Sequence, residues 1–425
     1  MYHKLSLGRI KMSSKFFKGF CAGMISCCLL TFIVFLVESA MKSKDNQIPA
    51  MPQEIDSTVN LNDIPDSELF KKKYENIVAL IEKCYLNVDD IEAEEVVDGM
   101  YQGMLEALGD KYADYYTPEE YKEFQESYTG KYCGIGAMVM QNSKTGEMVI
   151  TNPFEGAPAA KAGAKAGDII VKIEDKSTAE MSLDDAVALM KGEEGTDVKV
   201  ELNRDGKMIN LVITREQVDV PTVSHEMIEE TDIGYIYVSA FDEVTVKQFR
   251  EALNDVNDKG AKGIIIDVRN NGGGRLDSVI EMLDMILADG MIMYTETRNG
   301  IDEEYVATGE ESYDKPIAVL INEYSASASE VFAGCIQDRK KGTIVGTTSY
   351  GKGVVQSLYP LMGVADGSAI KITTSKYYTP LGRNIDGKGI TPDVEVEYDE
   401  AKTEKVGEQY IDTQLKKAIE VIESK

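Results

Sequence analysis

The spacing of hydrophobic positions changes several times along the chain and divides it into segments. The first apolar run, Gly19–Val37, holds no charged residue. It is long enough to cross the roughly 30 Å hydrocarbon core of a bilayer as one helix. Residues 67–128 repeat apolar side chains at steps of three and four, the period of an amphipathic helix. Residues 132–216 show short strand-like stretches broken by glycine turns and two helical pieces.

Beyond residue 217, strand patterns alternate with helix patterns. The predicted strands are Ile233–Val238, Gly263–Val268, Ile317–Ile321 and Thr343–Val345, and the predicted helices are Val246–Asn257, Leu276–Leu287, Ser329–Gln337 and Gln414–Ile422. Alternating strands and helices predict α/β layers with a largely parallel sheet.

We therefore predict a multidomain α/β protein in seven segments. They are a basic segment at 1–18, a transmembrane anchor at 19–37, a linker at 38–66, an N-terminal helical region at 67–129, a β-rich module at 132–216, an α/β core at 217–400 and a C-terminal helical segment at 401–425.

The charges around the apolar run predict its orientation. Five basic residues and no acidic residue precede it, so the positive-inside rule places the N-terminus in the cytoplasm. A cleavable signal peptide is the alternative, but the run is longer than a usual signal sequence and Glu38–Ala40 is a poor cleavage site. We expect a single-pass anchor in the cell membrane, with everything after Glu38 on the extracytoplasmic side.

The composition of the chain argues against some partners and some kinds of site. The 425 residues include 73 acidic and 45 basic side chains, giving a net charge of -28, so a nucleic-acid partner is not expected. Three cysteines follow the apolar run, namely Cys84, Cys133 and Cys335. Their odd number and wide spacing match no disulfide framework and no metal site.

A turn of small residues, Glu323–Ser329, follows an apolar strand and precedes a helix. A serine at such a turn, here Ser327, is exposed, and the helix N-terminus stabilises negative charge that develops beside it. The same residues also fit a capping box, because Glu330 stands three positions after Ser327. On this segment alone, helix capping and catalysis both stay open.

The chain offers few candidates for a general base. It has two histidines, of which His3 precedes the apolar run, so a Ser-His-Asp triad would depend on His225 alone. A desolvated lysine is an alternative base, because burial lowers the pKa of its ammonium group and frees the amine to accept a proton. Lys352 lies between Gly351 and Gly353, which permit close backbone approach. A lysine between glycines is also typical of an exposed turn.

Two glycine-rich stretches have competing interpretations. Gly346–Lys352 has the spacing of a phosphate-binding loop, but Gly353 stands where that motif needs Ser or Thr, and a strand pattern follows. Asn270–Gly274 follows a buried strand, and its backbone N–H groups suit an oxyanion hole or an anion nest. Its spacing does not match a dinucleotide-binding loop.

Together these segments resemble the carboxyl-terminal processing peptidases, also called tail-specific proteases. In that family the turn reads Ser-Ala-Ser-Ala-Ser-Glu with the middle serine as nucleophile, which implies this role for Ser327. The family motif Gly-Lys-Gly-x-x-Gln implies that Lys352 is the general base and that Gln356 orients it.

The resemblance also implies an oxyanion hole built from the backbone N–H groups of Ala328 and Gly273. Glu330 matches a position that belongs to the surroundings of the active site in this family.

The resemblance covers roughly residues 69–397, in the order helical region, PDZ domain, serine-protease core. Cys133–Ala137 is similar to the loop and second strand of a PDZ domain, which hold a peptide's terminal carboxylate. The implied carboxylate-binding residues are Gly134, Ile135, Gly136 and Ala137. Some relatives carry an arginine at the end of the PDZ helix that helps to sense substrate, whereas this chain has Lys191, which leaves its activation mechanism open.

The implied function is a membrane-anchored serine endopeptidase that cleaves proteins near their C-termini with a Ser-Lys dyad. Its partners would be substrate tails and the membrane, and its reaction would need no metal or organic cofactor. The alternative is a catalytically silent PDZ scaffold, against which the intact set Ser327, Lys352 and Gln356 argues. A homodimer formed through residues 67–128 is a further expectation, and the sequence leaves open whether a partner protein activates the enzyme.

Overall fold

The computed structural model describes residues 61–310, 312–362 and 366–425. The predicted transmembrane anchor at residues 19–37 lies outside these residues. Within the described ranges, no helix combines the length and the apolar character needed to span a membrane. The chain divides into two units with the boundary after Ile91.

The described part of the first unit contains one helix, α1 (Glu68–Cys84), between two short 3₁₀ turns. It begins at Ser67, whose hydroxyl accepts a hydrogen bond from the Phe70 N–H at 3.2 Å. No residue of α1 is buried. The expectation of a homodimer through residues 67–128 stays a prediction.

The second unit contains all remaining elements. Its helices are α2 (Ala93–Glu106), α3 (Pro118–Thr129), α4 (Pro158–Ala162), α5 (Leu183–Met190), α6 (Glu243–Asp258), α7 (Leu276–Asp284), α8 (Ala328–Asp338) and α9 (Thr413–Glu423). Its strands are β1 (Asp114–Tyr116), β2 (Lys131–Gly134), β3 (Ala137–Gln141), β4 (Met148–Pro153), β5 (Ile169–Ile173), β6 (Lys176–Ser177), β7 (Asp197–Arg204), β8 (Lys207–Thr214), β9 (Glu216–Asp219), β10 (Val223–Met227), β11 (Ile233–Val238), β12 (Gly263–Asp267), β13 (Gly290–Thr297), β14 (Gly300–Ala307), β15 (Ile317–Ile321), β16 (Thr343–Gly346), β17 (Val354–Pro360), β18 (Ala369–Tyr378), β19 (Val394–Glu395), β20 (Glu404–Val406) and β21 (Gln409–Ile411).

The β-rich module is an antiparallel sheet in the order β3-β4-β5-β7-β8, with β6 paired to β5. Alternate residues of β7 are buried because successive side chains of a strand point to opposite faces. They are Val198, Val200 and Leu202. Helix α5 starts at Ser182, whose hydroxyl accepts a hydrogen bond from the Asp185 N–H at 3.1 Å. Strands β2 and β9, which enter and leave the module, pair with each other.

The core sheet has the order β10-β11-β12-β15-β16-β19, and every neighbouring pair except β10 and β11 is parallel. Strands β12 and β15 are buried throughout because helices cover both faces. On one face Ile264 and Ile266 pack with Phe332 of α8, and on the other Ile265 packs with Leu415 of α9. The predicted parallel α/β layering is therefore present.

A second sheet is antiparallel, in the order β1-β18-β13-β14, with β17 also paired to β18. The predicted helical region at 67–129 also contains a strand, β1, so the helical prediction is wrong at Asp114–Tyr116. Three residues are too few to show a strand period, and β1 is stabilised by pairing Asp114 with the distant Lys371.

All eight predicted core elements are present, but most differ from the prediction by one to three residues at an end, and the helix predicted as Leu276–Leu287 ends at Asp284. Ile233–Val238 and Ile317–Ile321 are β11 and β15 without change. Helix α6 starts before the predicted Val246–Asn257, because Thr245 in its first turn accepts a hydrogen bond from the Asp242 N–H at 2.9 Å. Because these capping residues are polar, the spacing of apolar residues did not reveal that the helix starts there.

Candidate active site

The turn between β15 and α8 holds Ser327 in a strained backbone conformation, with φ 54° and ψ -114°. Residues other than glycine adopt a positive φ of this kind only where the surroundings enforce it. Here the N–H groups of Glu330 and Val331 both donate to the main-chain oxygen of Ser327 at 2.9 Å. The serine is therefore fixed at the start of a helix that follows a buried strand, the arrangement found at nucleophile elbows.

Glu330 joins this turn to a second loop. Its side chain is fully buried, and Oε2 accepts hydrogen bonds from the N–H groups of Ser327 at 2.9 Å and Lys352 at 2.8 Å. Its Oε1 accepts from the Gly351 N–H at 2.7 Å and the Ser349 hydroxyl at 2.5 Å. A buried carboxylate is tolerated when its oxygens are paired in this way. One side chain thus caps α8 and also fixes the serine turn against the lysine loop.

Lys352 is half-buried, and its pKa lies below the ordinary value of 10.5. Burial is the largest cause, because it disfavours the charged form, and the positive charges of Lys371 and Lys111 add to the effect. The carboxylates of Asp110 and Glu330 oppose it. A lowered pKa increases the share of neutral amine, the form that accepts a proton.

Ser327 and Lys352 line the same cavity, whose volume is about 420 Å³. The aliphatic and aromatic residues around it are Tyr112, Ala113, Phe124, Tyr128, Leu276, Ala328, Val331, Val354, Val355, Leu358 and Tyr377. The cavity therefore combines the predicted nucleophile and base with a lining of both apolar and charged side chains, the charged ones including Lys111, Asp114 and Lys371.

Gln356 lies on β17 and lines this cavity as well. Its side-chain amide donates a hydrogen bond to the Thr373 hydroxyl on the neighbouring β18 at 3.1 Å. The structure places Gln356 beside the predicted dyad, and its role in orienting Lys352 stays a prediction.

The two predicted oxyanion donors differ in their present partners. Ala328 is the first residue of α8, so its N–H has no acceptor within the helix, and it lines the cavity. The Gly273 N–H instead donates to the side-chain oxygen of Asn271 at 2.8 Å. A substrate oxyanion would have to replace Asn271 there. A Cβ on Gly273 would lie 2.8 Å from Ser327 Cβ, so only glycine lets this turn approach the serine.

The predicted carboxylate-binding loop lies at one end of a second cavity, of about 220 Å³, between β3 and α5. Ile135 and Ala137 line this cavity. Gly134 and Gly136 are buried, and Gly136 has a φ of 70°, which glycine adopts without strain. Because β3 is an edge strand of its sheet, one side of its backbone is free to pair with an added strand.

Tyr132 and Lys191 stand at the same cavity. Burial raises the pKa of the Tyr132 hydroxyl, and the N–H groups of Ala137 and Gly136 oppose that rise. The Lys191 ammonium lies 5.5 Å from the centre of the Tyr132 ring and 2.8 Å from a carboxylate oxygen of Glu126 on α3. The lysine at the end of α5 is thus paired with the N-terminal helical region.

Sequence reasoning missed the contribution of the N-terminal helical region to the first cavity. Lys111, Tyr112 and Asp114 line it from the segment between α2 and the end of β1, and Phe124 and Tyr128 line it from α3. The two aromatic residues of α3 do carry a signal, since they stand one helical turn apart. By itself, however, that spacing predicts only an apolar face.

Two family models match the chain. Peptidase family S41 matches residues 232–396, and a PDZ domain matches residues 149–204.

Curated relatives extend the match. The chain is 39% identical over 328 residues to the carboxy-terminal processing protease CtpA of Bacillus subtilis, an alignment that covers 77% of this chain and 68% of that protein. It is 36% identical over 299 residues to the carboxyl-terminal-processing protease of Synechocystis sp., covering 69% of each. Among solved structures, the photosystem II D1 C-terminal processing protease aligns at 28% identity and a TM-score of 0.45, covering 79% of this chain and 88% of that one. The chain belongs to peptidase family S41, among the carboxy-terminal processing serine proteases.

Proposed function

We propose that the chain is a serine endopeptidase in which Ser327 is the nucleophile and Lys352 is the general base. The observation that carries this proposal is the shared carboxylate of Glu330, which binds the main-chain N–H groups of both residues. Both residues therefore line one cavity in a fixed relation. The lowered pKa of Lys352 supports the same assignment.

In the proposed reaction, the neutral Nζ amine of Lys352 removes the proton of the Ser327 hydroxyl as its Oγ attacks the peptide carbonyl carbon. The resulting oxyanion is stabilised by the Ala328 N–H at the start of α8 and, once Asn271 is displaced, by the Gly273 N–H. Lys352 then gives the proton to the leaving amine, and water hydrolyses the acyl-enzyme. The reaction requires no metal or organic cofactor.

Substrate capture is proposed for the PDZ domain. The terminal carboxylate of a protein tail accepts hydrogen bonds from the N–H groups of Gly134–Ala137, and the tail adds as a strand to the free edge of β3. The apolar lining of the groove, which includes Val139 and Val187, favours apolar side chains at the end of the tail.

Removal of either dyad residue tests the catalytic assignment. In the full chain, Ser327→Ala and Lys352→Ala should each lower kcat for cleavage of a tail peptide by at least about 10³-fold, because the nucleophile or its base is lost. Lys247→Ala, on the exposed surface of α6, is the matched control and should retain wild-type kcat. Turnover in Ser327→Ala equal to that of the wild type would sink the assignment, and a wild-type chain that binds tails without cleaving them would favour the PDZ scaffold.

The pH dependence tests Lys352 separately. Because the base must be neutral and its pKa is lowered, kcat/KM should rise with pH and reach half its maximum below pH 10.5. Lys371→Ala removes a neighbouring positive charge, so the pKa of Lys352 should rise and the half-maximum should move to higher pH. Lys376→Ala, on the same strand but exposed, should leave the profile in place. A profile unaffected by Lys371→Ala contradicts the proposed base.

Peptide chemistry tests the capture step. A tail peptide with an amidated C-terminus lacks the charge that strengthens hydrogen bonds to the carboxylate loop, so each of these bonds is weaker by about 1 kcal/mol. Its KM should therefore exceed that of the free-acid peptide by roughly tenfold or more, with kcat changed less. Steady-state kinetics on paired peptides of one sequence provide the measurement, and equal KM values would contradict capture through Gly134–Ala137.

We further propose, from sequence alone, that residues 19–37 anchor the chain in the cell membrane with the peptidase on the extracytoplasmic side. After cell fractionation, the chain should stay in the membrane pellet through alkaline carbonate washing, and a protease added outside intact protoplasts should digest it. Replacing residues 19–37 by a cleavable signal sequence provides the control and should release the chain into the medium. A wild-type chain found in the cytosolic fraction contradicts this proposal.

A further inference from the structure

The ring of Tyr112 faces the proposed base from outside the protease core. Tyr112 lies between α2 and β1, and the Lys352 Nζ lies 4.6 Å from the centre of its ring. Among the described residues, no carboxylate forms an ion pair with Lys352. The Lys352 Nζ therefore lies against the aromatic face of Tyr112.

Backbone and side-chain contacts fix the segment that carries Tyr112. The carboxylate of Asp110 accepts hydrogen bonds from the N–H groups of Tyr112 at 3.0 Å and of Thr373 on β18 at 3.2 Å. Two residues later the chain pairs with β18 as β1. The Tyr112 hydroxyl lies near the Lys111 ammonium, whereas its ring is the part of the side chain that lies against Lys352.

The charges around Lys352 explain why such a ring matters. Lys371 and Lys111 disfavour the ammonium form, whereas Asp110 and Glu330 favour it. Lys111 also lies against the Tyr112 ring, at 4.7 Å, and its other neighbour, Tyr350, has a hydroxyl 3.3 Å from the Lys111 nitrogen. When Lys352 takes the serine proton, a further positive charge forms beside these lysines.

An aromatic face attracts an ammonium group through its quadrupole and has little attraction for a neutral amine. Its stabilisation therefore grows as the proton is transferred, which is the condition for lowering the barrier.

We propose that Tyr112 is a positioning residue for Lys352, whose ring holds Nζ in the cavity and stabilises the ammonium that forms as Ser327 is deprotonated. The inference rests on the proposed Ser327–Lys352 dyad. It makes the N-terminal helical region part of the catalytic apparatus, so residues 217–400 do not form a complete active site by themselves.

Two substitutions in the full chain separate the ring from the hydroxyl. Tyr112→Phe keeps the aromatic face and should retain kcat within about threefold. Tyr112→Leu keeps an apolar side chain without the face and should lower kcat by about five- to thirtyfold, with KM unchanged. Tyr121→Leu, which alters an aromatic residue of α3 that does not line the cavity, is the matched control and should retain kcat.

The pH profile distinguishes this role from simple packing. Without the ring the ammonium is less stable, so the half-maximum of kcat/KM in Tyr112→Leu should move to lower pH. A purely structural loss that admitted water would relieve desolvation and move it to higher pH. A wild-type kcat and pH profile in Tyr112→Leu, or a shift to higher pH, would overturn the proposal.

Fluorinated phenylalanines at position 112 test the role of the ring while keeping the shape of the side chain. Phenylalanines with increasing numbers of ring fluorines, introduced at position 112, weaken the quadrupole stepwise, and kcat should fall with each step. A constant kcat across the series would overturn the proposal even if Tyr112→Leu failed to fold. Full activity in Ser327→Ala or Lys352→Ala would instead refute the dyad itself, so the two failures are distinguishable.

Discussion

The buried carboxylate of Glu330 is the interaction on which the arrangement of the site depends. It accepts four hydrogen bonds, three of them from main-chain N–H groups, and these come from two loops at the ends of β15 and β16. Main-chain donors cannot rotate away, so the carboxylate fixes the loops more firmly than contacts between flexible side chains would. A carboxylate left unpaired in this position would be strongly destabilising.

The core sheet supplies the rigid base for this interaction. Strands β12 and β15 are parallel and buried on both faces, so their carboxyl ends deliver the glycine turn and the serine turn to the same edge. Asn271 joins these turns: its main-chain oxygen accepts from the Ala326 N–H at 3.0 Å and from the Ser329 hydroxyl at 2.8 Å. The strained φ of Ser327 persists because the strand before it and the helix after it are both packed.

Around this base, the cavity is assembled from three parts of the chain. The core contributes Ser327 and Lys352, the second sheet contributes the apolar strand β17, and the N-terminal helical region contributes Tyr112 and the aromatic face of α3. The pairing of β1 with β18 joins the N-terminal helical region to the second sheet. The environment of the lysine therefore depends on how these three parts pack together.

The sequence by itself determined the elements with strong periods and the residues in recognisable motifs. The strands Ile233–Val238 and Ile317–Ile321 were predictable because short, continuous runs of β-branched and aliphatic residues between turns are typical of buried strands. The family followed from the ordered motifs around Ser327 and Lys352, although each motif alone fitted a cap or a turn. Only the tertiary structure decided that Glu330 serves both loops, that the Gly273 N–H is held by Asn271, and that Tyr112 faces the lysine. Some of these contacts join residues far apart along the chain, and others depend on the local geometry of a turn. Neither produces a repeating pattern in the sequence, so they are determined by the way the sheets pack.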